Sequence, residues 1–208
     1  MTIDSLYKYG RLNKYSEALF ATPTIWFSAP SQLNDPFECR PWLIFNGTQD
    51  QIVASLTRTL MRRNPILTDE QARAQALTMF LAKEPTLDWE QTRRGIGLYC
   101  LSPVNNSILM WSHYAQDHQG YCLQFEATDF FSGWSYEQEW RLIDHERGPG
   151  LRDYPSGLLK GVIFGVRMPQ DDRVRIRNWL EKREHPVRLY DTIQHERQFA
   201  IEVREVDV

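Results

Sequence analysis

Hydrophobic and polar residues alternate along several short stretches of this chain, and elsewhere they recur with helical spacing. Alternation, or a short apolar run rich in β-branched and aromatic residues, predicts a strand. The predicted strands are 6–9, 24–28, 96–102, 121–125, 135–143, 158–164, 187–193 and 199–206. The last two are close enough in sequence to form a hairpin.

The middle of the chain carries the polar signals that begin helices. Thr48 with Gln51, and Thr68 with Gln71, have the spacing of capping boxes, in which each side chain bonds the backbone of the other residue. Helices are predicted at 49–64, 69–83 and 88–94, each ending near a proline or glycine. We therefore expect residues 48–94 to form a helical lobe inserted into a single domain.

Further helical segments are predicted outside this lobe. They are a turn at 16–20 and helices at 105–116 and 171–183, the last with Val174, Ile176, Trp179 and Leu180 on one face. Strands followed by helices and then by more strands indicate an α+β fold with a mostly antiparallel sheet. With 208 residues, 42% of them hydrophobic, the chain can bury the core of one such domain.

Charge and cysteine content narrow the class of protein. The net charge of -3 gives no global basic field that would attract nucleic acid. Cys39, Cys100 and Cys122 are widely spaced and form no CxxC pair, so we expect reduced thiols in a cytoplasmic protein. The first nine residues lack a signal-peptide core, and no apolar run is long enough to cross a bilayer, so no membrane association is expected.

The most distinctive stretch is 134–141, where large aromatic residues are interleaved with charges. Alternate residues of a strand share a face, so Glu137 and Glu139 would point the same way, with Arg141 beside them. Two carboxylates this close repel each other, and each raises the pKa of the other. Such a pair is typical of a catalytic site, and an edge strand with a solvated charged face is the alternative.

Other polar and aromatic clusters occur at 7–9, 34–38 and 102–118. His113, Asp117 and His118 could form a metal site, but their spacing matches no established ligand pattern, so a core or capping role is expected for His113. The chain has no P-loop, no G-x-G-x-x-G motif and no G-x-S-x-G elbow. These absences argue against the common nucleotide-binding and serine hydrolase folds.

Several motifs, in this order, resemble a bacterial family catalogued as domain of unknown function 2971. They are LYKY at 6–9, WFS at 26–28, NDPFE at 34–38, CLS at 100–102, MWSHYA at 110–115, H-x-G at 118–120 and YEQEWR at 136–141. The resemblance spans nearly the whole chain, and the family implies no particular activity.

A more distant resemblance is to the mono-ADP-ribosyltransferases, and it implies a split sheet that binds NAD. It rests on the order of the LYKY, YCLS and YEQE stretches. The resemblance implies that Lys8 or Tyr9 holds the dinucleotide and that Ser102 supports the ribose. It makes Glu139 catalytic, while Glu137 orients the acceptor. The other residues assigned to the NAD site are Asn34, Asp35, Trp111, His113, Tyr114 and Arg141.

Lys8 departs from that family, which has His or Arg in this place. A lysine contacts a phosphate as a point charge and cannot form the bidentate contacts of arginine. The departure therefore bears on how firmly a pyrophosphate would be held.

The resemblance leads us to expect an enzyme that uses NAD to modify a protein or nucleic acid, or that hydrolyses NAD, as a toxin or phage-defence component does. Two alternatives stay open. One is a non-catalytic module of the same fold that binds a nucleotide or a protein partner. The other is a metal-dependent nuclease built from Asp35, Glu38, Glu137 and Glu139.

Overall fold

The computed structural model describes residues 3–33, 48–81, 94–128, 134–136, 139–144 and 147–206, with the backbone alone for residues 63, 134–136 and 139. The strands are β1 (Ser5–Gly10), β2 (Thr24–Phe27), β3 (Gly97–Leu101), β4 (Tyr121–Glu126), β5 (Trp134–Tyr136), β6 (Glu139–Asp144), β7 (Gly150–Asp153), β8 (Leu159–Phe164), β9 (Arg188–Gln194) and β10 (Ile201–Glu205). The α-helices are α1 (Ser16–Ala21), α2 (Gln49–Arg63), α3 (Asp69–Leu81), α4 (Ile108–Tyr114) and α5 (Gln170–Leu180). None of these helices is both long and apolar enough to span a bilayer.

The strands form a mixed, open arrangement, and the fold is α+β. The largest sheet has five strands in the order β1-β4-β8-β9-β10. Neighbours in this sheet are antiparallel except β8 and β9, which are parallel. A second sheet has the order β3-β6-β5, and β2 pairs with β7.

Two backbone contacts connect these sheets through β3. Tyr7 in β1 and Ser102, just after β3, exchange two hydrogen bonds of 2.8 Å. Ser28, just after β2, exchanges two hydrogen bonds of 2.8 Å with Leu98 in β3. β3 is therefore tied to β1 at its end and to β2 near its start.

The chain forms two compact units, one of residues 30–94 and one of residues 1–29 with 95–208. In the helical unit, α2 and α3 pack through a small apolar cluster of Ile52, Val53, Leu56, Ala76 and Met79. Both predicted capping boxes form. Thr48 Oγ1 accepts from the Gln51 N–H at 3.4 Å, and Thr68 Oγ1 accepts from the Gln71 N–H at 3.2 Å. Each threonine N–H in turn donates to the Oε1 atom of its glutamine at 3.0 Å.

In the larger unit, both faces of the five-stranded sheet carry core residues. On one face, Leu123, Phe125, Val162 and Phe164 of the sheet share a core with Ile176 of α5. On the other face, Tyr9, Cys122 and Ile163 of the sheet share a core with Trp111 and Ala115, in and just after α4. A strand covered on both sides needs apolar residues at successive positions, which explains the apolar run at 162–164 in β8.

The segment 135–143 is not the single strand that its alternation predicts. β5 and β6 pair antiparallel, with Tyr136 opposite Glu139, so the chain reverses direction between them. The premise that one strand carries both glutamates is therefore wrong. Glu137 itself lies outside the described residues.

The other strand predictions are confirmed to within two residues, and β7 has no counterpart among them. The predicted helix at 105–116 is shorter, because Ser107 caps its start by accepting from the Met110 N–H at 3.3 Å. In α5, Ile176 is fully buried but Val174 is 45% exposed, so the apolar face is narrower than predicted. The predicted helix at 88–94 reaches the described residues only at Arg94.

Cys122 is a free thiol and is fully buried, as the sequence predicts. Burial raises the pKa of this thiol well above its ordinary value. Cys39 lies outside the described residues.

Gly165, directly after β8, is a point of close backbone approach. Its N–H donates to the Gly120 carbonyl at 2.9 Å, and a Cβ atom at this position would overlap the His118 carbonyl oxygen. We expect Gly165→Ala to lower the free energy of unfolding by about 2 kcal/mol, because backbone atoms cannot move aside as a flexible side chain can.

Gly157→Ala is the matched control for this substitution. The nearest atom to its new Cβ would be on the His185 ring, at 3.6 Å, which is an ordinary contact. Chemical denaturation of the two variants measures the difference, and equal stabilities would contradict the predicted clash.

Candidate functional site

β1, β3 and β6 come together at one place, and the backbones of Lys8, Ser102 and Glu139, which the sequence implicates, lie there. Ser102 bonds in both directions to Tyr7, the residue before Lys8. β6 runs antiparallel to β3 and begins at Glu139, beside the end of β3 that Ser102 follows. We call Tyr7, Lys8, Ser102 and Glu139 the strand junction.

The side chains of Lys8 and Ser102 lie on opposite faces of this junction. Residues directly opposite each other in an antiparallel pair share a face, so Ser102 shares the face of Tyr7. Lys8 points the other way, with Nζ 4.8 Å above the Tyr99 ring and donating to the Cys100 carbonyl at 2.9 Å. The expected placement of Lys8 and Ser102 in one dinucleotide site is therefore not seen.

Two hydroxyl groups on the Ser102 face converge on one backbone position. Tyr9 Oη donates to the Val104 carbonyl at 2.9 Å. Ser102 Oγ lies 3.1 Å from the same carbonyl and accepts from the Val104 N–H at 3.2 Å. Both residues are buried, with 5% of Tyr9 and 6% of Ser102 exposed. These hydroxyls hold the 102–107 loop in place, and neither is open to a ligand.

Trp111 belongs to the core and does not offer its ring for stacking. It is fully buried, and its Nε1 donates to the Asn105 carbonyl at 2.8 Å. The Tyr9 ring meets it edge-on at 5.3 Å, and the His118 ring stacks on it at 6.5 Å. The implied contact of Trp111 with a nicotinamide or adenine ring is wrong for this structure, because other rings cover it.

α4 ends in two exposed ring side chains. His113 and Tyr114 lie in its last turn, both exposed, and Tyr114 is 47% exposed. The core position considered for His113 is wrong, because Trp111 occupies the buried side of this helix. Both rings are accessible to a ligand from solvent.

The turn after α4 has an uncommon backbone. Gln116, Asp117 and His118 all have positive φ, at 50°, 50° and 67°. For residues other than glycine this conformation costs about 1–2 kcal/mol each. The Gly120 N–H donates to the Ala115 carbonyl at 2.7 Å and helps to hold the turn.

This turn places His118 against Ser112. His118 Nε2 lies 3.3 Å from Ser112 Oγ, and within the described part of the chain its buried Nδ1 has no hydrogen-bond partner. His118 therefore packs within this turn, a role that the metal-ligand interpretation of the sequence did not predict. The H-x-G motif at 118–120 was the available signal, since both residues make close backbone contacts.

Arg141 lies in the middle strand of the three-stranded sheet. It is opposite Cys100 in β3 and opposite Trp134 in β5. Asn34, Asp35 and Glu137 lie outside the described residues, so the roles assigned to them stay predictions.

Metal binding was considered for two sets of residues. In the described ranges, no three His, Cys, Asp or Glu side chains are grouped so that they could hold a metal ion, and this applies to His113, Asp117 and His118. The nuclease alternative depends on Asp35 and Glu38, which lie outside those ranges, so it stays a prediction.

Residues 110–133 match a protein-family model described as Protein of unknown function (DUF2971). The matched segment begins within α4 and includes the turn at 116–118 and β4, so it contains Trp111, His118 and Gly120. Comparison with curated proteins and with solved structures gave no match. The family resemblance is supported over this segment, and the resemblance to ADP-ribosyltransferases stays a prediction.

The Tyr9 hydroxyl provides a test of how the 102–107 loop is held. We expect Tyr9→Phe to lower the free energy of unfolding by about 1–2 kcal/mol, because a buried hydrogen bond to the Val104 carbonyl is lost. Tyr15→Phe is the control, since Tyr15 is 69% exposed. Thermal or chemical unfolding measures both variants, and an unchanged Tyr9→Phe would show that this bond contributes nothing.

The buried phenols also predict a pH dependence of stability. Burial raises the pKa of Tyr9, Tyr99, Tyr121 and Tyr154 above the ordinary value of 10.0. In the unfolded chain these groups ionise near that value, whereas in the folded protein they stay protonated. The stability they contribute is therefore complete below pH 10.0 and is lost as the pH rises towards the folded pKa values.

Between its unfolded and its folded pKa, each of these four tyrosines should lower the free energy of unfolding by about 1.4 kcal/mol for every pH unit. Denaturation curves at a series of alkaline pH values measure this slope. The tyrosinate absorbance of these four residues should appear together with unfolding, and their ionisation in the folded protein near pH 10.0 would contradict the prediction.

Proposed function

We propose that NAD or a related nucleotide binds at the strand junction through Tyr7 and Glu139, and that Glu139 promotes cleavage of its nicotinamide–ribose bond. The observation that supports this is the meeting of β1, the end of β3 and the start of β6 at one place. The order of these strands along the chain is also the order that the ADP-ribosyltransferase resemblance requires.

The chemistry suits a carboxylate at this position. Loss of nicotinamide, which leaves with the bonding electrons, makes the ribose carbon oxocarbenium-like, as in glycoside hydrolysis. The Glu139 carboxylate would accept a hydrogen bond from a ribose hydroxyl and stabilise the developing positive charge. Water as the acceptor would give ADP-ribose, and a nucleophile on a protein or nucleic acid would give a modified target.

In this proposal the exposed rings of α4 contact the bases of the nucleotide. His113 and Tyr114 are accessible, whereas Trp111 is enclosed by Tyr9 and His118. Trp111 then acts as a positioning residue, because it fixes the helix that presents the other two rings. Aromatic stacking of this kind is usual for nicotinamide and adenine.

Tyr7 replaces Lys8 as the proposed first-strand contact. Lys8 lies on the opposite face, against Tyr99 and the Cys100 carbonyl, where it supports the packing of β1 on β3. Tyr7 shares the face of Ser102, and burial raises the pKa of its phenol. A neutral phenol can donate a hydrogen bond to a phosphate or ribose oxygen.

A second candidate function, binding of a nucleotide without turnover, is favoured by the position of Lys8. With Lys8 on the other face, that residue contributes no positive charge to the Ser102 face for holding a pyrophosphate. A binding module would show an NAD-dependent rise in melting temperature without release of nicotinamide.

Nicotinamide release from NAD, followed by chromatography, tests the enzymatic proposal. We expect release by the unmodified protein and a decrease of about 100-fold in Glu139→Gln, because an amide cannot stabilise the positive charge as a carboxylate does. Binding of NAD, measured by thermal shift, should persist in this variant.

Glu17→Gln is the control, since its carboxylate is 58% exposed and pairs with Lys182 at 2.7 Å on the surface. Release that is unaffected by Glu139→Gln would exclude the role given to Glu139. If NAD gave no nicotinamide release and no thermal stabilisation, both candidate functions would be contradicted.

A further inference from the structure

We propose that β10 pairs with β10 of a second copy of this chain, so that two five-stranded sheets join across a two-fold axis. β10 is the last strand in the order β1-β4-β8-β9-β10, and among the described strands it pairs with β9 alone. A strand with one paired edge presents unpaired N–H and C=O groups along the other. The partner that fits this edge is argued from its hydrogen-bond pattern and its charges.

The hydrogen bonds to β9 identify which backbone groups face outward. The His195 N–H donates to the Ala200 carbonyl at 3.0 Å, and the Val206 N–H donates to the Leu189 carbonyl at 2.9 Å. In an antiparallel pair, every second residue of a strand bonds to the neighbouring strand. Residues 200, 202, 204 and 206 therefore face β9. The N–H and C=O groups of Ile201, Val203 and Glu205 face away from it.

These outward groups allow an antiparallel pair that is centred on Val203. Val203 would lie opposite the partner's Val203, and Ile201 opposite the partner's Glu205. All of these positions have outward-facing backbone groups, so they would form the hydrogen-bonded pairs of the new ladder. A two-fold axis repeats every contact, as a closed dimer requires.

The charges of β10 select this alignment. With the axis at Val203, Glu202 lies opposite the partner's Arg204, and Arg204 lies opposite the partner's Glu202. Opposite charges directly across a strand pair are stabilising, and like charges are destabilising. In the two neighbouring alignments the axis lies at Glu202 or at Arg204, and the same outward-facing backbone groups form the ladder. These alignments place Glu202 against the partner's Glu202, or Arg204 against the partner's Arg204. Among these three alignments, the edge is self-complementary only in the one centred on Val203.

The charged side chains are already arranged near each other on one face of the strand. Arg204 Nη2 lies 2.7 Å from Glu202 Oε2, and His195 Nε2 lies 3.5 Å from Glu202 Oε1. Both residues of this ion pair keep exposed area, with 67% of the Arg204 side chain and 36% of the Glu202 side chain exposed. The contact between two chains would exchange the two ion pairs within the strands, one in each chain, for two ion pairs across the interface.

Sedimentation or light scattering of the full chain tests the proposal. We expect a concentration-dependent species of twice the 24.6 kDa chain mass. Glu202→Arg and Arg204→Glu should each weaken self-association by about tenfold or more, because each turns the two attractive cross-strand pairs into repulsive ones. The double variant with both changes should associate as the unmodified chain does, since its charges are complementary again.

Mixing the two single variants gives a sharper outcome. Glu202→Arg has two arginines on the edge and Arg204→Glu has two glutamates, so together they should form a heterodimer although neither associates alone. Val203→Pro removes an outward N–H without touching the ladder to β9, and it should also weaken association. Thermal unfolding of each variant confirms that it is folded. A chain that stays monomeric, or variants that associate equally, would overturn the proposal.

Discussion

Strand β1 pairs with two partners, and this double pairing determines the geometry of the strand junction. It is antiparallel to β4 along its whole length, from Ser5 to Gly10. Through Tyr7 it also bonds to Ser102, at the end of the sheet formed by β3, β6 and β5. One strand thus carries the backbone hydrogen bonds that join the two sheets, and its alternation directs the side chains on both sides.

This alternation separates charge from hydroxyl groups. Lys8 is directed to the face of Tyr99, while Tyr7 and Tyr9 are directed to the face covered by α4. On that second face the Tyr9 hydroxyl and the Trp111 indole N–H bind two carbonyls of the same loop. The loop in turn fixes where α4 begins, and so which of its rings remain exposed. The packing of β1 against the loop therefore determines which side chains of α4 are accessible from solvent.

The elements with local signals were predictable from the sequence. The capping boxes of α2 and α3 and the apolar run of β8 depend on residues within a few positions of each other. The glutamate pair was not predictable, because β5 and β6 have the same alternating composition, and alternation alone does not reveal a reversal between them. Lys8 was correctly placed in a strand and Ser102 lies one residue beyond the end of β3, but their relative faces depend on how β1 pairs with this segment.

By itself, the sequence determined where most of the strands and helices form, because propensity, capping and periodicity act over a few residues. The glutamate stretch, the aromatic helix α4 and the H-x-G turn all have such signals. Only the tertiary structure decided which polar groups are already engaged. Lys8 finds its acceptor 92 residues away and Tyr9 finds its acceptor 95 residues away. No local pattern encodes such partners, since the strand pairing that brings them together forms between distant segments.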